Sequence, residues 1–180
     1  MTERWARFDT ESNAIDNLEK TAHFLRTVKD NHEDWKWVVI CIFSSLYGFA
    51  IQVAKGSDDL SVVNTTKKGH SRLITFDEAL EACRVTVGGR NALVTSEAEN
   101  ESISTIQKEF RNKFEHFNPG SWSIEVSGFP DHILNILNVI RSLALDLNFY
   151  SHINEVQKSN LVYILDECAF IATKLREMYA

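Results

Sequence analysis

Apolar residues recur along most of this chain at intervals of three and four, the signature of helices packed through one face. Residues 11–31 read as a first helix, charged on most sides, with Ile15, Leu18, His23, Phe24 and Val28 as its less polar stripe. Residues 33–55 are the most apolar segment, and Gly56 is placed to stop it, as glycine after a helix commonly is. A long loop is expected over 57–74, with Asp58 and Asp59 first and then Lys67, Lys68, His70 and Arg72. Thr75-Phe76-Asp77-Glu78 is a capping-box pattern opening a short helix to about Arg84, and Val87-Gly88-Gly89-Arg90 reads as a turn.

A second capping box, Ser96-Glu97-Ala98-Glu99, opens a helix whose apolar positions are Ile103, Ile106, Phe110, Phe114 and Phe117. Their spacing predicts a regular amphipathic helix. Pro119 biases Asn118 away from helical angles, so that helix is expected to end near Phe117. Residues 122–126 alternate and read as a short extended segment. Pro130 suits the first turn of a helix reaching about residue 148, and a last helix covers 154–178. The pattern predicts an all-α helical bundle with short accessory helices, at most a short extended segment, in one domain over residues 1–180.

Composition supports this picture. The hydrophobic share is 44% and the charged share 24%, with only 7 Gly and 2 Pro, which favours long helices over many short strands. A net charge of −6 and a sequence pI near 5.5 argue against a protein that coats nucleic acid nonspecifically, yet leave room for a small basic cleft. Cys41, Cys83 and Cys168 are far apart, odd in number and without metal-ligand spacing; they read as free buried thiols in a reducing cytoplasm. Residues 1–10 are charged and lack an apolar run, so no signal peptide is expected. Between Lys36 and Lys55 no residue is charged, but Ser44, Ser45, Gly48 and Gln52 interrupt the apolar run. A buried central helix is expected there rather than a membrane span. Trp35, Trp37, Phe43, Tyr47 and Phe49, crowded on that helix, read as core packing before they read as a stacking platform.

Candidate chemistry gathers at Arg111-Asn112-Lys113-Phe114-Glu115-His116. A guanidinium can hold a phosphate, and an imidazole near the end of a helix can move a proton near neutral pH. Lys108 shares the polar face with Asn112 and His116. Arg111 and His116 would stand roughly 140° apart on one regular helix, so they converge only if the helix loosens or if two copies meet. Against this stands the plain reading of solvated polar residues on a helix face. The basic residues Lys67, Lys68, His70 and Arg72 are placed to guide a nucleic-acid backbone, or are simply a solvated loop. Trp122, just beyond the motif, is either a base-stacking ring or the anchor of its loop. His23, His32, His70, His132 and His152 are scattered, no His-Glu-x-x-His spacing occurs, and no phosphate-cradling glycine motif or Gly-x-Ser-x-Gly elbow is present. No metal and no cofactor are therefore expected.

Arg, a polar residue and then His after a short gap resembles the hallmark of the HEPN superfamily (higher eukaryotes and prokaryotes nucleotide-binding domains). Arg111, Asn112 and His116 fill that pattern, and the string from Arg111 to Glu125 looks like an uncharacterised bacterial branch of it. The resemblance implies a helical bundle that dimerises so that two motifs face one cleft. It also implies a metal-independent endoribonuclease, often a toxin or a defence protein. His116 would then activate the ribose 2′-hydroxyl or protonate the leaving oxygen, Arg111 would bind the scissile phosphate, and Asn112 would orient one of these groups. Lys108, Lys67, Lys68, Arg72 and Trp122 would contact RNA. A toxin subgroup with a nucleotidyltransferase antitoxin carries a Tyr two positions after the His; here that position is Asn118, which puts that kind of antitoxin partner in doubt. Other members of the superfamily are noncatalytic modules that bind a nucleotide or a partner protein.

Overall fold

The computed structural model describes residues 5, 8–65, 69–85, 92–115 and 120–180. Its architecture is all-α with one small two-stranded sheet. Helix α1 covers Thr10–Thr27 and α2 covers Trp35–Lys55, the two joined by a 3-10 turn at His32–Asp34. A short α3, Phe76–Cys83, follows the hairpin, and α4 spans Glu97–Ser104. The chain then widens into a π-helical stretch, Thr105–Arg111, and tightens again into the single turn α5, Asn112–Glu115. Helix α6, Phe129–Arg141, also runs into a π-helical stretch, Ser142–Asp146, before α7 closes the fold over Glu155–Tyr179.

Helix starts are written in side chains. Asp9 with Ser12, Thr75 with Glu78, Ser96 with Glu99 and Asn154 with Gln157 each form a reciprocal capping box. Each box satisfies two backbone donors that a helix N-terminus leaves open. Gly56 ends α2 with a φ of 55°, a backbone angle that only glycine adopts at little cost.

Helix α2 is the axis of the molecule. Val38, Val39, Ile42, Leu46, Phe49 and Ala50 are all fully buried, and α1, α3, α6 and the first π-helical stretch pack around them. Buried residues from Ala14 to Leu175 join in one hydrophobic cluster. The segment His32–Lys55 is long and apolar enough to cross a membrane by length and composition, but 61% of its most apolar window is buried inside the fold. Core packing holds for Trp35, Phe43 and Phe49, while Tyr47 is half-buried and Trp37 is exposed, stacked on Phe24 with ring centroids 6.0 Å apart.

Three expectations need correcting. The packed stripe of α1 is Ala14, Leu18, Thr21, Ala22, Leu25 and Val28, with His23 exposed and Ile15 and Phe24 only half-buried. Small residues turn inward because α1 lies close on α2: a Cβ built on Gly48 would stand 2.8 Å from the Cβ of Ala14. The 57–74 segment is not all loop. A 3-10 turn, Asp59–Val62, leads into strand β1, Val63–Thr65, which pairs antiparallel with β2, Ser71–Leu73. Buried Val62 and Ile74 pin the hairpin to the core, and the Ile74 N–H donates to the Val62 carbonyl at 2.9 Å. Strands this short leave too little alternation to read from sequence. Third, the motif helix is not regular from end to end. The expected turn at Val87-Gly88-Gly89-Arg90 and the helix end at Pro119 lie outside the described residues.

Candidate active site

The motif begins where the helix has widened. In a π-helical turn each N–H reaches back five residues instead of four, so one extra residue is accommodated per turn. Residues beyond it are set back by roughly 100° around the axis relative to an uninterrupted α-helix. Local contacts hold the widened stretch. Ile106 is fully buried, Phe110 meets Phe129 edge-on with ring centroids 4.5 Å apart, and Gln107 donates through Nε2 to Asp77 on α3 at 3.0 Å.

Arg111 leaves the end of this stretch toward α2. Its guanidinium carbon lies 4.8 Å from the centre of the Phe43 ring, and Nη2 is 2.6 Å from a carboxylate oxygen of Glu115 one turn on. Its Nε–H is buried with no acceptor among the described residues. The side chain retains 34% of its exposure and lines a cleft of about 550 Å³. The other walls of that cleft come from Asp9 and Asn13 near the start of α1, from Ser44, Tyr47 and Gly48 on α2, and from Leu73 on the hairpin.

Tyr47 was not singled out by its sequence context, which marks it as one more aromatic on an apolar helix. In the fold it lines the same cleft as Arg111 and feels the charges of both Arg111 and Arg72. Burial raises its pKa, the Glu78 carboxylate raises it further, and Arg111 and Arg72 oppose the shift. The phenol therefore stays protonated at neutral pH, and its hydroxyl donates to the Ile74 carbonyl. It positions the hairpin against α2 and is not a base.

The remaining predicted residues are spread out. Asn112 is exposed, its Nδ2 donating to the Lys108 carbonyl at 3.4 Å, and the Lys108 side chain is exposed as well. Arg72 lies exposed on β2, with Nη2 3.6 Å from Glu78; its neighbour Leu73, not Arg72 itself, lines the Arg111 cleft. Trp122 packs on Phe114 with ring centroids 5.3 Å apart, and 42% of it remains exposed. His116, Lys67 and Lys68 lie outside the described residues.

Two other groupings invite a chemical reading. Ser102 Oγ is 3.1 Å from His132 Nδ1 and accepts from Asn135 Nδ2 at 2.9 Å. Ser102 is 2% exposed, so this pair ties α4 to α6 and has no room for a substrate. Burial lowers the pKa of His132, against the pull of Glu101, Asp131 and Glu109. The three cysteines are free and buried, and burial pushes the thiol of Cys41 up to about 11 and those of Cys83 and Cys168 up to about 12, far from the reactive thiolate. Among the described residues no group of three or more His, Cys, Asp or Glu side chains is arranged to hold a metal ion. No protein-family model, no curated protein and no solved structure matches this chain.

Proposed function

We propose that this chain is a metal-independent RNA endonuclease of the HEPN type, working in the cytoplasm as a homodimer in a toxin or defence role. Arg111, Asn112 and His116 are its site. The observation that carries the reading is the setting of Arg111. Its guanidinium lies over the Phe43 ring at the wall of a cleft, partly exposed, with an Nε–H that no described residue satisfies. A planar, permanently charged donor held this way is suited to a phosphate.

In the reaction, His116 takes the proton from a ribose 2′-hydroxyl, whose oxygen attacks the adjacent phosphorus. The bond from phosphorus to the 5′-oxygen breaks, and a protonated imidazole returns a proton to that leaving oxygen. The products are a 2′,3′-cyclic phosphate and a 5′-hydroxyl. Arg111 offsets the charge that builds on the phosphoryl oxygens as the transition state forms. Requiring the 2′-hydroxyl restricts the chemistry to RNA. A second copy of the chain supplies the other half of the cleft. An exposed apolar stripe on α7, Val156, Tyr163, Phe170 and Met178, recurs about every two turns and supports such pairing.

A second reading, a noncatalytic module that binds a nucleotide or a partner protein, draws on one specific contact. Glu115 already occupies Arg111 at 2.6 Å, and Asp9 brings a carboxylate to the cleft that Arg111 lines. A phosphate has to compete with both.

Cleavage of a 5′-labelled RNA in excess EDTA separates the two. The nuclease reading expects fragments ending in a 2′,3′-cyclic phosphate, lost in both His116→Ala and Arg111→Ala while the proteins stay folded. Wild-type and variant proteins that leave the RNA equally intact, or cut it equally, would sink the assignment.

A further inference from the structure

A second cleft, distinct from the one lined by Arg111, opens beside the motif. It encloses about 610 Å³ and is lined by Trp35, Lys36, Lys113, Phe114, Trp122 and Ile124, among others. Three features set it apart. Its wall is aromatic, with Trp35, Phe114 and Trp122 in the lining, Phe114 and Trp122 tilted against each other at 48° and 42% of Trp122 left exposed. Two lysines border it against a single acid, Glu33, in a protein whose net charge is −6. Lys36 rests its ammonium 5.0 Å from the Trp37 ring, and Lys113 has no ion-pair partner among the described residues. And the cleft is continuous in chain with the motif, since Lys113 and Phe114 follow Arg111 and Asn112 directly.

We infer that this cleft is a nucleotide subsite that receives an unpaired base of a single-stranded RNA on Trp122, with the adjoining phosphate held by Lys113 and Lys36. An aromatic floor with cations at its rim is what single-strand binding asks for: stacking tolerates any base, and ammonium groups follow the backbone. The Phe114 contact supports this use of Trp122, because a ring already held by a neighbour loses less freedom when the base arrives. The subsite explains how an acidic protein grips a polyanion locally. It also gives the motif a way to choose unpaired RNA, because a paired base cannot enter the cleft. The inference rests on the reading of the chain as an RNA enzyme.

Its test therefore uses binding and not cleavage. A fluorescently labelled single-stranded 2′-deoxy oligonucleotide of about eight residues, which lacks the attacking hydroxyl, is titrated against the full chain by anisotropy. Trp122→Ala should weaken binding by about tenfold or more, while Trp122→Phe, which keeps a ring, should stay within a few-fold of wild type. An abasic oligonucleotide should bind wild type weakly and be indifferent to Trp122→Ala. Lys113→Ala should weaken binding and flatten its salt dependence by about 0.7 in logarithmic slope, whereas Lys158→Ala on α7 should change neither. The inference is overturned if the oligonucleotide does not bind, if Trp122→Ala binds like wild type, or if abasic and base-bearing strands bind alike. Circular dichroism confirms that each variant is folded. A chain that binds through Trp122 but never cuts RNA removes the nuclease reading and leaves the subsite standing. One that cuts RNA and binds without regard to Trp122 removes the subsite alone.

Discussion

Gly48 provides the sharpest test of how α1 and α2 meet. Replacing it with alanine puts a methyl group 2.8 Å from the Cβ of Ala14, 3.4 Å from its Cα and 3.6 Å from the Thr10 carbonyl oxygen. Two effects of opposite sign follow. Alanine is the better helix former, which favours the variant by about 1 kcal/mol. The contact at 2.8 Å is far inside van der Waals range, and the atom it meets is rooted in the backbone, so no side-chain rotation relieves it. Relief requires α1 to move off α2, disturbing fully buried Leu18, Leu25, Val38 and Ile42; forced overpacking of this kind costs about 1–3 kcal/mol. The steric effect wins, and Gly48→Ala should be destabilised by about 1 kcal/mol net, a fall of about 2–4 °C in Tm for a chain of this size. Urea denaturation followed by circular dichroism measures it: the midpoint falls and the slope is unchanged. Combining the change with Ala14→Gly removes the clashing atom, so the double variant should be more stable than the sum of the single effects. A variant as stable as wild type, or a double-mutant coupling of zero, would refute the account of a close helix contact.

Four further outcomes are expected. Glu11 is buried near the start of α1, its carboxylate accepting from Asn148 Nδ2 at 2.7 Å, Ser151 Oγ at 2.6 Å and the His152 N–H at 2.9 Å; Glu11→Ala strands these donors and should cost about 3 kcal/mol by urea unfolding. Burial holds the pKa of His132 below its ordinary 6.5, so the unfolded chain takes up that proton first; this contribution is intact above neutrality and is lost as pH falls through 6.5 toward the native value. His132→Gln should accordingly lose less stability than wild type between pH 7.5 and 5.5, and equal slopes would count against the assignment. Native protein should react with a thiol reagent far more slowly than urea-unfolded protein, since all three thiols are buried and shifted upward. Glu115→Gln frees Arg111 and removes a charge that repels phosphate, so oligonucleotide affinity should rise by about two- to fivefold; a fall would mean that Glu115 instead orders the guanidinium.

Legibility followed the reach of each signal. Helix boundaries were readable where side chains cap the backbone, as at Thr75 with Glu78 and Ser96 with Glu99, because those interactions lie within one turn. The apolar axis was readable because α2 is hydrophobic nearly all round, which only a central position satisfies. The choice among apolar residues has no such local signal. Phe24 and Ile15 are larger than Ala14 and Ala22, yet both alanines are buried, and at Ala14 the reason is Gly48 on α2, which leaves space for a close approach. A hydrophobic ranking of one helix has no information about the shape of the helix it meets. The hairpin is silent in the sequence for a similar reason: β1 and β2 are held by Val62 and Ile74 against the core, not by a strand pattern of their own.

The site shows the same limit at the level of chemistry. From Arg111 and Glu115 a reader of the sequence sees two charges one turn apart, an ordinary helical ion pair. Only the fold supplies the Phe43 ring beneath the guanidinium and the cleft beside it. The reason is the widened turn over Thr105–Arg111. Its residues satisfy an α-helical apolar spacing as well as a π-helical one, so no local pattern announces it. It forms where packing against α2, Phe129 and Asp77 outweighs the poorer hydrogen-bond geometry. Removing that support should therefore disturb the motif before it disturbs the bundle. Gln107→Ala, which breaks only the bridge to Asp77, should leave urea stability nearly unchanged while altering amide exchange from Phe110 to Glu115. A widened turn that persists unchanged without this bridge would place its cause in the packing against α2 and in the aromatic contact of Phe110 with Phe129.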